Sequence, residues 1–382
     1  MPTRGTETPK YRLAATHLNR LIAALTNDGY TVIGPSVKDG AILYTEIEDA
    51  NQLPIGWTDE QEAGQYRLKR RDDKAYFGFN VGPQSWKDIL FPADRRLWRA
   101  VRDETGFHIE DTRAPVPKVA FLGMRACELA AIAIQDRIFM SESCSDADYV
   151  SRRENAFFVA VNCGQAASTC FCASMDTGPA VSGGFDIALT EMIDDTRHDF
   201  LVESGSARGA KLVDDLPILP VQLEDIKQVQ ASLRRTVQQM GRQLETSGLK
   251  DVLQQNPDHP RWDEVAARCL TCGNCTMVCP TCFCTTVEDV TDLTGGQAER
   301  WRKWDTCFAL DFSYLYGGSV RSSAKSRYRQ WMTHKLAHWV DQFDTSGCVG
   351  CGRCITWCPV GIDITEEAAA IREQPAAIEG VA

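Results

Sequence analysis

Residues 118–139 read KVAFLGMRACELAAIAIQDRIF. KVAFLG is a continuous apolar run of strand length, and ACELAAIAIQDRIF is rich in helix formers and long enough for several helical turns. Downstream, NAFFVAVNC (155–163) repeats the buried-strand composition. A strand, a helix and a second buried strand in succession predict a parallel α/β sheet. Such sheets place ligands at the carboxyl ends of their strands. Cys127 falls at the first strand-to-helix turn and Cys163 at the end of the second strand, with Cys170 and Cys172 just beyond.

Toward the amino terminus, KYRLAATHLNRLIAALTNDGY (10–30) carries helical spacing through Leu13, Leu18, Leu21, Ile22 and Leu25 and ends at Asn27-Asp28-Gly29. TVIGPSVKDGAILYTEI (31–47) follows as two short strands around Asp39-Gly40. The expectation for residues 1–220 is an α/β (or α+β) domain.

The chain has 382 residues, enough for two or three domains. Its formal net charge of -11 argues against nucleic acid or an anionic membrane surface as a general partner. No apolar run reaches the roughly 20 residues that span a bilayer, and the opening MPTRGTETPKYRLAATH lacks an apolar signal core. A cytoplasmic location is expected. Sixteen cysteines in a chain without an export signal then point to metal or redox chemistry before disulfides.

The cysteines cluster. Residues 269–280 read CLTCGNCTMVCP and residues 348–359 read CVGCGRCITWCP, both matching C-x2-C-x2-C-x3-C-P. Close spacing of the first three thiolates lets one turning loop wrap three corners of a 4Fe-4S cube, with Gly273 and Gly352 letting the backbone approach. In two-cluster proteins the fourth cysteine serves the other cluster. This assigns Cys269, Cys272, Cys275 and Cys358 to one cluster and Cys348, Cys351, Cys354 and Cys279 to a second. Structural zinc needs only four sulfurs and does not explain the extra cysteine and proline of each run.

Between the runs, VEDVTDL (287–293) and RYRQWMTHKLAHWVDQF (327–343) read as helical, the second by its spacing of Trp331, Leu336, Trp339, Val340 and Phe343. The expectation for residues 221–382 is therefore a mainly α-helical dicluster ferredoxin domain. His334 and His338 stand at i and i+4, but with no glutamate partner or third ligand nearby they read as packing or solvated histidines. Arg321, Lys325, Arg327, Arg329 and Lys335 form a basic segment. It would dock an acidic partner, offset the charge of thiolate-bound clusters, or simply face solvent.

Thr-Cys-Phe-Cys occurs twice, at 169–172 and 281–284. If the strand ends converge, Cys127, Cys163, Cys170 and Cys172 hold a third cluster, the alternative being buried unliganded thiols. Cys282, Cys284 and Cys307 supply only three thiolates, so a further site there needs Asp305, a distant residue or a partner chain; a structural role is the alternative. Cys144 reads as a free thiol.

The order MRACELAAI, DYVSRREN, VNCGQAASTCFCASMDTGP, GFDIALTE, CLTCGNCTMVCPTCFCTTVEDV, WDTC and GCVGCGRCITWCP resembles the iron-sulfur beta subunit of soluble NAD(P)-linked nickel-iron hydrogenases, the sulfhydrogenases. It is also similar to the A subunit of anaerobic sulfite reductase. The resemblance runs from about residue 9 to about residue 365. It implies an electron-transfer subunit without a substrate site of its own. Its partners would be a flavin subunit that exchanges hydride with a nicotinamide and the small and large nickel-iron hydrogenase subunits, or a sulfite reductase catalytic subunit. Glu128 would supply the acid of a Cys-acid pair seen in related chains.

The residues agree with that absence of hydride or nickel-iron chemistry. There is no G-x-G-x-x-G after a strand, and no pair of C-x2-C motifs at the two ends of the chain. One-electron hopping is expected, with no side chain acting as acid or base. A cluster with an open position at Cys282, Cys284 and Cys307 that reduces polysulfide is one rival, and a docking scaffold for the flavin subunit is the other.

Overall fold

The computed structural model describes residues 9–110, 115–142 and 145–373. Its largest element is an eight-stranded mixed sheet, in the order Leu219–Pro220, Lys10–Ala14, His198–Ser204, Ile187–Ile193, Ala156–Val161, Val119–Met124, Thr31–Lys38 and Ala41–Glu46. The four central neighbours from Ile187–Ile193 to Thr31–Lys38 pair in parallel, and the outer ones pair antiparallel. The expected strand, helix and strand are present as Val119–Met124, Ala126–Phe139 and Ala156–Val161. Asp39 (φ 52°) and Gly40 (φ 75°) form the turn between the two strands predicted around them.

Alternate residues of the central strands enter different cores, as a sheet covered on both faces requires. Leu122, Phe157, Val159 and Val161 meet the helix Leu18–Asn27 through Leu18, Leu21, Ile22 and Leu25. Phe121, Met124 and Phe158 meet Ala131 and Ile132 of the helix Ala126–Phe139, together with Trp339 and Val349 from the carboxyl-terminal half. The second ferredoxin run is thus packed against the sheet face that carries Cys127.

Two local predictions fail. The first helix begins only at Leu18, because Lys10–Ala14 is a strand paired with His198–Ser204, and Leu13 faces the core from there. Edge pairing overrides an apolar spacing that both patterns share at that point. VEDVTDL is not helical: Thr285–Thr291 is a strand paired with Gln297–Trp304. Its three threonines and two valines suit a pleated, half-exposed surface better than a helix. That hairpin joins Asp94–Asp103 and Gly106–Glu110 in a four-stranded sheet, which crosses the expected boundary at residue 220.

The carboxyl-terminal half is otherwise built of helices around Trp262, Tyr328, Trp331, Met332, Leu336 and Ile355. Helix Ala324–Thr333 continues through one π-helical turn, His334–His338, into Trp339–Phe343. No described helix is long and apolar enough to cross a membrane.

Candidate iron-sulfur centres

All fifteen described cysteines are unpaired thiols, and they gather around a few cavities. Among the described residues no three His, Cys, Asp or Glu side chains could hold a single metal ion. A four-iron cube would take its thiolates from around a cavity, in contrast to the roughly 2.3 Å bonds that draw four sulfurs onto one zinc. Cys144 lies outside the described residues.

Cys269, Cys272, Cys275 and Cys358 line one cavity, walled by Tyr328 and Trp331. The fourth cysteine of the second run therefore faces the first three of the first run. Backbone N–H groups point at two of these sulfurs, from Thr271 to Cys269 Sγ (3.4 Å) and from Ile362 to Cys358 Sγ (3.3 Å). Cys272 is exposed, beside the solvent-facing Leu270.

Cys348, Cys351, Cys354 and Cys279 form the second group. Burial and the thiols of Cys348, Cys351 and Cys279 push Cys354 well above the usual thiol range. Cys348 is pushed up to about 12 by burial, although Lys335 pulls the other way. Gly350 N–H donates to Cys348 Sγ at 3.4 Å.

Cys127, Cys163, Cys170 and Cys172 line a third cavity at the carboxyl ends of Val119–Met124 and Ala156–Val161. Burial raises all four thiols, Cys170 to about 12. Arg125 lines the same cavity, with Nη2 held by the carbonyls of Phe77 (2.9 Å) and Phe79 (2.7 Å). Its buried Nη1 has no hydrogen-bond partner. An orphaned cationic donor at a four-thiol cavity fits a sulfur-rich anionic guest, since an unmet buried donor otherwise costs about 1–3 kcal/mol.

These groups touch. Cys351 lines the third cavity and Cys354 lines the first, so both sites border the second group. The loops are pressed together: Phe171 N–H donates to Gly350 O at 2.9 Å. A Cβ on Gly352 (φ 75°) would stand 2.4 Å from Thr169 O, and one on Gly350 (φ 63°) would stand 2.6 Å from Phe171 O. The glycines of this run are thus required by the neighbouring Thr-Cys-Phe-Cys loop, whatever the cube itself needs. Both copies of the repeat use the threonine as a fastener. Thr169 Oγ1 lies 2.9 Å from Thr356 Oγ1, and Thr281 Oγ1 donates to Gly347 O at 2.6 Å.

Cys282, Cys284 and Cys307 line a further cavity with His334, Lys335 and Trp339. The Cys307 thiol donates to Cys284, which lowers Cys284 to about 7 and leaves Cys307 holding the proton. Asp305 is not among the lining residues; its carboxylate accepts from Thr306 N–H at 2.7 Å. His338 does not line this cavity either.

The basic segment is not a free cationic face. Lys335 is buried, donating to Cys279 Sγ (3.1 Å), Thr281 Oγ1 (3.1 Å), Gly347 O (3.1 Å) and, at 3.5 Å, Cys282 Sγ. Burial acts to lower its pKa, but the thiolates of Cys279, Cys282 and Cys348 outweigh this and hold it well above its ordinary value. Arg327 is also buried, bound to the carbonyls of Arg321 and Phe308. Lys325 pairs with Asp263 and Arg329 bonds Pro257 O. Lys335 had a sequence signal: it lies four residues from both Trp331 and Trp339, on a buried helix face.

Lys87 had none. Its buried Nζ donates to Cys279 O (3.0 Å), Cys282 O (3.2 Å) and Met277 O (3.3 Å), from the other half of the chain. Glu128 is buried with its carboxylate on Arg353 Nη2 (2.6 Å) and Tyr44 OH (2.6 Å). The acid beside Cys127 therefore anchors the second ferredoxin run.

Residues 268–362 match the 4Fe-4S dicluster domain family. Sulfhydrogenase 2 subunit beta of Pyrococcus furiosus is 33% identical over 259 residues, which is 67% of this chain and 75% of that protein. No solved structure matches the chain.

Proposed function

The chain belongs to the family of the sulfhydrogenase beta subunits, and from that premise we propose that it relays single electrons between a flavin-bearing NAD(P) subunit and a nickel-iron hydrogenase module. It is an iron-sulfur electron-transfer subunit with a 4Fe-4S dicluster domain. The partners and the relay order are our reading. So are the ligand sets: Cys269, Cys272, Cys275 and Cys358; Cys348, Cys351, Cys354 and Cys279; and Cys127, Cys163, Cys170 and Cys172. Division near residue 220 and a cytoplasmic location belong to the same reading.

One observation carries the relay. Cys351 and Cys354 belong to one group yet line the cavities of the two others. The second group then stands between the first and the third. When bound, 4Fe-4S clusters supply one-electron chemistry in which no substrate bond is made or broken.

The chain's own residues do the rest. Phe171, Tyr328 and Trp331 are buried and keep water from the thiols. Lys335 and Lys87 place two buried cations around the Cys279–Cys282 segment, and Arg125 places a third at Cys163. Fixed positive charge and N–H donors near thiolate sulfur favour the reduced form. Exposed Cys272 marks one end of the path. Toward the other, Gln165 lines both the third cavity and a larger one of about 330 Å³ with Arg71 and Arg235.

The experiment uses the flavin subunit and this chain, purified together without oxygen. Addition of NAD(P)H should bleach the cluster absorbance of this chain, and no bleaching with a competent flavin subunit would overturn the proposed partner. An anaerobic sulfite reductase partner, or direct reduction of polysulfide, would be recognised by bleached clusters that reoxidise with those substrates and not with protons through a hydrogenase.

A further inference from the structure

The second Thr-Cys-Phe-Cys, with Cys307, offers three thiols where a cube has four corners, and no fourth cysteine lines their cavity. We infer that His334 completes a fourth 4Fe-4S site with Cys282, Cys284 and Cys307. This rests on the electron-relay reading and extends it with a site of different charge.

Four observations converge. First, His334 lines the same cavity as the three thiols, and no other imidazole or carboxylate does. Cys282 and Cys284 reach it from the loop after the first ferredoxin run, Cys307 from the loop after Gln297–Trp304, and His334 from the long helix. Second, the helix places it there by a local irregularity. His334 opens the single π-helical turn between Ala324–Thr333 and Trp339–Phe343. A π turn interrupts regular helical hydrogen bonding, is rare, and occurs frequently at functional sites. Third, the imidazole makes no hydrogen bond or ion pair with another described residue, and its ring lies 6.0 Å from that of Trp339. A half-buried ring nitrogen without a partner is available to iron. Fourth, Lys335, the next residue, donates to Cys279 Sγ and toward Cys282 Sγ. One cation thus serves this site and the second group, which brings the two into contact.

The chemistry differs from that of the other three sites in a defined way. Replacing one thiolate by a neutral imidazole removes one negative charge from the ligand set, and histidine ligation raises the potential of an iron-sulfur centre. The fourth site would therefore be the electron sink of the chain.

The full chain, reconstituted without oxygen, should carry about 16 irons. Electron spin-echo spectroscopy of protein labelled with 15N-histidine should show a nitrogen coupled directly to one cluster. In His334→Cys the iron should stay, the coupling should vanish, and the highest of the cluster potentials should fall. About 12 irons in the wild type, with the other three sites intact, overturns the fourth site and leaves the relay standing. About 16 irons with no histidine coupling overturns His334 as the ligand. About 8 irons overturns the third site as well. Should His334→Cys not fold, Cys307→Ala serves instead: loss of about four irons together with the coupling is expected, and unchanged iron contradicts the site.

Discussion

The guanidinium of Arg353 meets the carboxylate of Glu128 at 2.6 Å, with both side chains fully shielded from solvent. Glu128 sits one residue after Cys127 and Arg353 one residue before Cys354. One ion pair thus joins the turn that carries the third cysteine group to the loop that carries the second. Tyr44 OH and Arg125 N–H bind the other carboxylate oxygen, at 2.6 and 3.1 Å. Arg353 also donates to Gly82 O and Gln84 O.

Removing one member of a buried, hydrogen-bonded pair leaves the other charge uncompensated, at a cost of about 3–5 kcal/mol. Glu128→Ala is expected to lose stability on that scale in anaerobic denaturant unfolding, and a loss below about 1 kcal/mol would show that water reaches Arg353. Lys303→Ala, whose pair with Glu288 is exposed to solvent and screened by it, should leave stability nearly unchanged.

Lys335→Met should lower the reduction potential of the centre that Cys279 serves, because a cation that donates to its sulfur is replaced by an apolar chain of similar length. Potentiometric titration followed by electron paramagnetic resonance checks this. An unchanged potential would mean that Lys87 and the Gly347 carbonyl set the local field instead. Lys325→Met, on the surface with Asp263, should leave every potential where it was.

Gly352→Ala is expected to cost more than Gly248→Ala, although both glycines have φ near +70°. A Cβ at Gly248 meets nothing within 4 Å, so only the backbone conformation is strained, by about 1–3 kcal/mol. At Gly352 the Cβ would press on Thr169 O, and the two loops must part. Iron should then be lost from the second and third sites together. Equal losses of stability in the two variants would rule out the close approach.

The buried thiols give the cluster-free chain a pH dependence. Cys170 and Cys348 are raised by burial from the ordinary 9.0 to about 12. The unfolded chain releases these protons first, so the folded state gains stability from them below about pH 9 and loses it as pH climbs toward 12. The cluster-free form should therefore melt at steadily lower temperature through that window. With thiolates already bound to iron the loaded form should not, and parallel slopes for the two forms would contradict the assignment of these thiols as ligands.

Much of this was legible because the signals are local. Two C-x2-C-x2-C-x3-C-P runs fix their own loops, and the apolar strands ending at Met124 and Val161 bring Cys127 and Cys163 together by topology alone. What was hidden depends on distant partners. Lys10–Ala14 is a strand only because His198–Ser204 offers it an edge. Glu128 and Arg353 are 225 residues apart, and nothing near either announces the other. Lys335 reads as surface charge until the loop 279–282 covers it. His334 looks unpartnered in sequence because its prospective co-ligands arrive from two other loops.

The central claim is that the α/β half of the chain holds a cluster continuous with the ferredoxin pair. Iron and acid-labile sulfide in Cys172→Ala, compared with the wild type and read with the resonance spectrum of the reduced protein, test it most directly. The account predicts a loss of about four irons and of the spin-coupling broadening that a neighbour at Cys351 produces. Unchanged iron and an unchanged spectrum would contradict it and make the first Thr-Cys-Phe-Cys a packing element.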